Sequence, residues 1–421
     1  MRSIQRGLFM LGLFWVAANS VGAFTREVYV WQRQFTPAVY RAIEAVRDET
    51  DGCAVLAAEV SWGKDGPRLF RSTVNYSALA AAGRPVGLVL RIGPYVGPFS
   101  TDDATASYLA SVATSLLQES RSRGLEPAEL QVDFDCASSK LGGYRLWLDA
   151  LRGAAGGTKI TFTALPDWLA RKEFSSLAHA ANGFILQVHS LEKPRGPDDS
   201  FQLCDPDRAW KWIEQAGRVG VPFRVALPTY GYQLAFDATG KFIALSAEGV
   251  PAAGLRGTQI RTVRSDVAAV SGLARKIAAS KPLGCTGVIW FRLSVAGDRL
   301  NWNITTLKVV LRGEVPVSLL AATVAWSKDG LAEVALVNHG EQDERMPLKV
   351  TADWSRDFQA ITSDGLGAYA PSVDRAEGGR LVLIAKLAAD GERIAPGGSR
   401  KIGWLRFSHE IPLTLQIVAR R

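Results

Sequence analysis

Cysteine and histidine are scarce in this sequence of 421 residues, which contains four of each. Cys53, Cys136, Cys204 and Cys285 form no C-x-x-C pair and no other spacing typical of a zinc site. Glycine-rich phosphate loops, low-complexity tracts, short repeats and nucleic-acid-binding motifs are also missing, and the basic residues behind the net charge of +8 are scattered. We therefore predict no cofactor, no metal site and no nucleic-acid partner.

The one long hydrophobic run stands near the amino terminus. Arg2 and Arg6 precede "GLFMLGLFWVAA", and small residues follow, with Val21 and Ala23 at positions that suit a cleavage site. This pattern predicts a signal peptide over residues 1–23 and a periplasmic or extracellular protein. An uncleaved anchor is the alternative, although the run is short for a membrane span. No later stretch is long and apolar enough to cross a bilayer, so we predict no span after signal removal.

The folded chain alternates between two patterns up to residue 313. Helical patterns separate most of eight β-type runs, which occupy residues 27–34, 53–61, 85–93, 130–136, 159–168, 183–190, 223–232 and 287–294. This alternation predicts an α/β fold, a (β/α)8 TIM barrel over residues 24–313, with an open doubly wound sheet as the alternative. Residues 314–421 read as strands joined by turns and predict a small β-sandwich.

The cysteines allow a prediction about disulfides, which an exported protein permits. The predicted barrel places Cys136 and Cys204 at its mouth, and Cys53 and Cys285 at its opposite end. We expect the pairs 136–204 and 53–285, with four unpaired thiols as the alternative.

Polar residues late in the β-type runs carry the functional prediction, because a TIM barrel places its chemistry at the carboxyl ends of its strands. In "LQVDFDC" (130–136), two aspartates share one strand face. The candidate catalytic residues are Asp133, Asp135, Asp167 and Tyr230. The candidate substrate-binding residues are Trp31, Glu59, Arg91, Gln131, Trp168, Gln187, His189, Tyr232, Trp290 and Arg292. A buried network of Gln131 and the two strand aspartates with Arg91 and Arg292, serving only to close the barrel, is the structural alternative.

Aromatic residues near the same strand ends indicate the ligand class. Flat rings stack on the C–H faces of sugars, while carboxylates and arginines bind hydroxyl groups. The expected partner is therefore a polysaccharide or oligosaccharide.

Four segments resemble the chitinase-like glycoside hydrolases. "LQVDFDC" is similar to their fourth-strand D-x-D-x-E region, "KITFTALPDW" to their fifth strand, "FRVALPTYGYQLAF" to their seventh, and "GVIWFRLSVAGD" to their eighth. The whole arrangement also resembles an uncharacterised bacterial barrel family of unknown function with a small β module. The resemblance implies that Trp290 is the substrate-floor tryptophan and Tyr230 the strand-seven tyrosine. Ala137 stands where those enzymes carry the acid glutamate.

Three functions follow as hypotheses. The first is a glycoside hydrolase acting on a polysaccharide, which the resemblance suggests contains hexosamine, with Asp135 as the acid and Asp133 tuning it. Asp167 or Glu59 would act from across the mouth, and Tyr230 and His189 would orient the substrate. The second is a carbohydrate-binding pseudoenzyme or scaffold. The third is a metal-dependent, deacetylase-like hydrolase that uses Asp133, Asp135 and His189.

Overall fold

A computed structural model describes residues 24–100, 104–190, 194–247, 258–372, 379–386 and 392–418. The predicted signal peptide at 1–23 lies outside these residues. In chain order the first elements are β1 (Thr25–Val30), α1 (Pro37–Ala45), β2 (Gly52–Gly63), β3 (Gly66–Arg71), α2 (Tyr76–Ala81), β4 (Val86–Ile92), α3 (Ala104–Ser122), β5 (Glu129–Phe134), α4 (Leu141–Ala154), β6 (Ile160–Ala164), α5 (Lys172–His179), β7 (Phe184–Gln187), α6 (Pro206–Gly217), β8 (Phe223–Pro228), β9 (Gly231–Phe236), β10 (Phe242–Ser246), β11 (Gln259–Arg264), α7 (Val267–Ser280), β12 (Cys285–Phe291) and α8 (Ile304–Leu311).

Eight parallel strands close into a barrel. Their order is β1-β12-β8-β7-β6-β5-β4-β2, and β1 also pairs with β2, which closes the circle. The predicted TIM barrel is therefore confirmed. Helices cover its outside, and the core between them holds most of the large aromatic side chains, among them Trp147, Trp168 and Trp290. None of the helices in the described residues has the length and apolar character of a membrane span.

Four further strands, in two groups, accompany the eight barrel strands. β3 forms an antiparallel hairpin with β2, and β9, β10 and β11 form a separate three-stranded sheet between the last two barrel strands. The run 223–232 thus covers the whole of β8 and the first two residues of β9. The turn between them, at Thr229 and Tyr230, lies at the barrel mouth.

The barrel interior is polar at its amino-terminal end and apolar in its middle. At the amino-terminal end Arg224 forms ion pairs with Glu27 and Glu129, and Glu129 also accepts a hydrogen bond of 3.0 Å from Thr161. Above them lies an apolar cluster, which consists of Tyr29, Ala54, Val89, Ile185, Ala226 and Ile289. Since the described side chains fill the interior at these levels, the cleft described below lies at the carboxyl ends of the strands.

The carboxyl-terminal region is antiparallel. Its strands are β13 (Leu320–Trp326), β14 (Leu331–Asn338), β15 (Glu344–Arg345), β16 (Lys349–Asp353), β17 (Thr362–Gly365), β18 (Tyr369–Pro371), β19 (Arg380–Ala385), β20 (Arg393–Ile394), β21 (Ser399–Arg406) and β22 (Thr414–Val418). Two four-stranded sheets, β13-β14-β21-β17 and β18-β19-β16-β22, share one apolar core. This confirms the β-rich second region, while the boundary at residues 313/314 stays a prediction.

The four cysteines are buried and free, so the expected disulfides do not form. Cys53 and Cys285 begin β2 and β12, which both flank β1. The two strands are about 10 Å apart, and the register places Cys53 level with Trp290 and not with Cys285, so the two cysteines are beyond disulfide range.

Candidate active site

A cleft of about 820 Å³ opens at the carboxyl ends of the barrel strands. This volume lies within the range of small-molecule binding sites. The lining contains nine of the fourteen sequence-predicted residues, namely Trp31, Arg91, Asp133, Asp135, Asp167, Gln187, His189, Tyr230 and Tyr232. These nine side chains, chosen from late positions in the β-type runs, therefore share one cavity.

Asp133 and Asp135 form an acidic pair at the end of β5. Asp133 lies inside the barrel, where Oδ1 accepts a hydrogen bond of 2.7 Å from Thr163 and Oδ2 lies 3.8 Å from Nε of Arg91. Burial, reinforced by the Asp135 charge, raises the pKa of Asp133 from 3.8 to about 6. Asp135 follows the strand end and stands in the cleft without an ion pair or hydrogen bond to any described residue.

The sequence predicts Asp135 as the acid, but in the structure Asp133 is the side chain that retains its proton to higher pH. Burial also raises the pKa of Asp135, and the Arg91 charge opposes that shift. Asp133 is the buried member, and the charge of Asp135 adds to its shift. Asp133 therefore holds its proton to higher pH, while Asp135 presents the accessible carboxyl group. Since the two groups interact, they release their protons as a pair.

Glu59 is held by two arginines beside the cleft. It forms ion pairs with Arg33 and with Nη1 of Arg91, the latter at 3.2 Å. Arg91 therefore divides its charge between Glu59 and Asp133. Glu59 does not line the cavity, because its carboxylate is turned toward these guanidinium groups.

Asp167 adds a third carboxyl group to the cleft. It lies in the short 3₁₀ turn Pro166–Ala170, and its Oδ2 accepts a hydrogen bond from Ser138. Ser138 belongs to the turn that follows β5, so two neighbouring strand ends hold this carboxylate. Asp167 is exposed to solvent, unlike Asp133.

A chain of buried polar side chains forms another wall. Nδ1 of His189 lies 3.2 Å from the Tyr230 hydroxyl, which lies 2.9 Å from the Tyr232 hydroxyl. The Tyr232 hydroxyl is also hydrogen-bonded to Ser190. Burial lowers the pKa of His189 to about 3, so the imidazole is neutral, and its Nε2 has no hydrogen-bond partner among the described residues.

Aromatic rings line the rest of the cleft. Phe291 lies on the floor, with its ring centroid 4.9 Å from that of Trp31. Trp212 of α6 forms part of the rim, where the Arg208 guanidinium lies 5.1 Å from the centre of its ring. Flat apolar faces and carboxylates thus share one cavity.

Five predicted residues do not line the cleft. They are Glu59, Gln131, Trp168, Trp290 and Arg292. Gln131 is buried one layer deeper, bonded to the Tyr29 hydroxyl. Trp168 packs in the outer core near Tyr144, because the chain turns into a 3₁₀ helix after β6. Glu59 forms ion pairs with Arg33 and Arg91 and does not face the cavity.

Strand β12 presents the opposite face from the one predicted. Ile289 and Phe291 point into the barrel, while Trp290 is 1% exposed and packs in the outer core against Trp302. Phe291 therefore occupies the floor position expected for Trp290. Arg292 follows the strand end, where its Nη2 bonds Asp298 at 3.1 Å.

The sequence did not predict several residues that line the cleft. They are Tyr29, Thr163, Leu165, Pro166, Ser190, Arg208, Trp212, Ala226 and Phe291. The period-two pattern that selects Trp31 and Asp133 also selects Tyr29 and Thr163, so these two could have been found. Arg208 and Trp212 belong to a helix that follows a long loop, and no strand pattern points to them.

The metal-dependent alternative gains no support from this arrangement. Within the described parts of the chain, no three His, Cys, Asp or Glu side chains converge to hold a metal ion. His189 instead directs Nδ1 to the hydroxyl of Tyr230.

Comparisons with known families match both regions of the chain. The model of a family described as a domain of unknown function (DUF3142) matches residues 82–296, just over half of the sequence. A second domain of unknown function (DUF8456) matches residues 322–408. No curated protein matches this sequence.

Solved structures with a similar fold include chitinases, a spore cortex-lytic enzyme and xylanase-α-amylase inhibitor proteins. A chitinase from Chromobacterium violaceum is 15% identical, with a TM-score of 0.48 over 69% of this chain and 99% of its own. The Bacillus cereus spore cortex-lytic enzyme SleL is 13% identical, with a TM-score of 0.48 over 69% of this chain and 74% of its own. A Rhizomucor miehei chitinase is 15% identical, with a TM-score of 0.44 over 68% and 99%. At such low identity, conclusions about chemistry rest on the residues of the cleft.

Proposed function

We propose that this protein, which belongs to a family of unknown function (DUF3142), is an exported glycoside hydrolase acting on a polysaccharide or oligosaccharide. Because the family has no known function, the chemistry has to be inferred from the residues of the cleft. The observation that carries the proposal is the meeting of Asp133, Asp135 and Asp167 with aromatic rings in one cavity of about 820 Å³. Carboxyl groups supply the chemistry of glycoside cleavage, and the rings supply stacking surfaces for sugars.

The Asp133–Asp135 pair acts as the proton donor. Glycoside cleavage needs one carboxyl group that stays protonated at the working pH. The pair meets this need, since the pKa of Asp133 is about 6. Asp135, which stands in the cleft, delivers the single proton of the pair to the glycosidic oxygen, and both carboxyl groups are then ionised until solvent returns a proton.

Asp167 supplies the second carboxyl group. Its pairing with Ser138 orients it without neutralising it, since a hydroxyl carries no charge. It serves as the base or nucleophile that the reaction requires. The neutral His189 and Tyr230 bind sugar hydroxyl groups along the opposite wall.

The second candidate is a carbohydrate-binding protein without hydrolytic activity. Ala137 favours it, because this residue stands where the acid glutamate of chitinase-like enzymes is expected. The same cleft would then bind a sugar polymer and leave it intact. In either case we propose that residues 1–23 direct export and that residues 314–421 form an attachment or binding module.

Incubation with a polymer panel separates the two candidates. The chain without residues 1–23 is mixed with chitin, peptidoglycan, other hexosamine polymers and bacterial exopolysaccharides, and new reducing ends are measured from pH 4 to 8. Asp135→Asn and Asp133→Asn test the pair. Asp48→Asn is the matched control, because Asp48 is exposed in the turn after α1, at the opposite end of the barrel.

A hydrolase predicts release that falls above about pH 6, as the acidic pair loses its proton. Each pair variant should lower the rate at least about a hundredfold, and Asp48→Asn should leave it unchanged. Binding of one polymer by all four proteins without release would establish the second candidate. If the protein neither cleaves nor binds any polymer of the panel, the carbohydrate proposal is wrong.

A further inference from the structure

A second cleft, of about 690 Å³, lies between the barrel and the carboxyl-terminal region. β11 and the start of α7 form one side, and β15 and β20 form the other. Its charged lining consists of Arg261, Arg264, Arg345, Arg393, Asp266 and Glu392. Arginine thus outnumbers the acidic residues two to one.

Two of these arginines face each other directly. β15 and β20 pair in antiparallel register, with Arg345 opposite Arg393. Like charges in opposite positions of a two-stranded ladder destabilise it. Arg345 has no hydrogen bond or ion pair with any described residue, and Nη1 of Arg393 donates to the backbone carbonyl of Asp343 at 2.9 Å.

The other two arginines are also bonded to backbone carbonyls. Arg264 donates to the carbonyl of Arg299, and Arg261 donates to those of Pro197 and Asp199. A carbonyl satisfies a hydrogen-bond donor but cancels no charge. Burial, together with repulsion from Arg264 and Arg345, lowers the pKa of Arg393 to about 10.

The acidic residues nearby are committed elsewhere or reach the arginines weakly. Asp266 caps α7 by accepting a hydrogen bond of 2.8 Å from the amide of Ala269. Glu392 pairs with Arg400 at 3.5 Å. Asp343 attracts Arg264 and Arg393 but bonds neither guanidinium with its carboxylate. The side chains that line the cleft therefore carry an excess of positive charge.

We propose that this cleft is an oxyanion-binding site in which Arg264, Arg345 and Arg393 bind a phosphate, sulfate or carboxylate group. Guanidinium groups suit such ligands because their planar N–H donors match the oxygen geometry. A bound anion would also relieve the repulsion between Arg345 and Arg393. The ligand is either a free inorganic anion or an acidic group on a saccharide. The site goes beyond the proposed hydrolysis and does not depend on it.

Calorimetric titration of the chain without residues 1–23 tests the site. The probes are inorganic phosphate, sulfate and trigalacturonate, each at constant ionic strength because salt screens such contacts. Arg393→Gln and Arg345→Gln each remove one guanidinium. Arg356→Gln is the matched control, since Arg356 is an exposed arginine of the same region without a described partner.

We expect Arg393→Gln and Arg345→Gln each to raise the Kd about tenfold or more, and Arg356→Gln to leave it unchanged. Without ligand, the two cleft variants should unfold at the same temperature as the original chain or at a higher one. Binding of phosphate and sulfate alone would identify an inorganic anion site, and tighter binding of trigalacturonate an acidic saccharide site. No binding by any probe, or equal losses in all three variants, would overturn the proposal.

Discussion

The two ends of the barrel use the same residue types in opposite ways. At the amino-terminal end, Arg224 is bonded to both Glu27 and Glu129, and the three side chains are between 11% and 15% exposed. At the mouth, Arg91 is 45% exposed, lies 3.8 Å from Asp133 and is shared with Glu59. Asp135 forms no ion pair or hydrogen bond with any described residue.

The two ends also differ in how they shift the pKa values of their charged side chains. Burial alone would lower the pKa of Arg224, but the charges of Glu129 and Glu27 raise it above its usual value. At the mouth the hydrogen bond from Thr163 and the Arg91 charge compensate only in part, so burial dominates and the pKa of Asp133 rises to about 6. A compensated buried cluster makes the loss of any one member costly to the fold, whereas an incompletely compensated one is available to a ligand.

The largest expected effect is at the amino-terminal end. Arg224→Gln leaves Glu27 and Glu129 buried without their cation, so the free energy of unfolding should fall by about 3–5 kcal/mol. Urea denaturation at pH 7 measures it. Arg91→Gln at the mouth is the matched control and should cost about 1 kcal/mol or less, because Arg91 is 45% exposed and Glu59 keeps its ion pair with Arg33. Equal losses in the two variants would contradict the contrast between the ends.

The second effect is a pH dependence at the mouth. The pKa of Asp133 in the folded chain, about 6, lies above its ordinary value of 3.8. Its contribution to stability is therefore complete below about pH 4 and is lost as the pH rises through 6. Asp133→Asn removes this loss, so the variant should gain about 2 kcal/mol over the original chain between pH 4 and 7.

Urea denaturation of both proteins across that pH range measures the difference. Asp48→Asn, at the exposed turn after α1, should track the original chain at every pH. A constant difference between Asp133→Asn and the original chain would mean that Asp133 titrates normally.

The smallest effect concerns the neutral side chains of the mouth. Tyr230→Phe removes the hydroxyl that lies between His189 and Tyr232. Because a neutral hydrogen bond is lost and no charge is uncovered, stability should fall by about 1 kcal/mol, without pH dependence between 5 and 8. Thermal unfolding at several pH values measures it. A loss as large as that of Arg224→Gln would show that the mouth is also a structural cluster.

Much of the cleft could be predicted from strand patterns. Trp31, Asp133 and Gln187 alternate with apolar neighbours along their strands, and each faces the barrel interior as that period requires. The pattern was less informative beyond the strand ends. Trp168 was assigned to the mouth because its run continues past β6, but a 3₁₀ turn carries it into the outer core.

The sequence by itself determined the order of the eight barrel strands, the change to antiparallel strands after the barrel, and the acidic face of β5, because hydrophobic periodicity is local. Tertiary structure alone decided which face of β12 points inward, so that Phe291 and not Trp290 forms the floor. It also joined Glu27, Glu129 and Arg224, which lie far apart in the chain. The physical reason is that periodicity defines two faces of a strand, whereas barrel closure and helix packing choose between them.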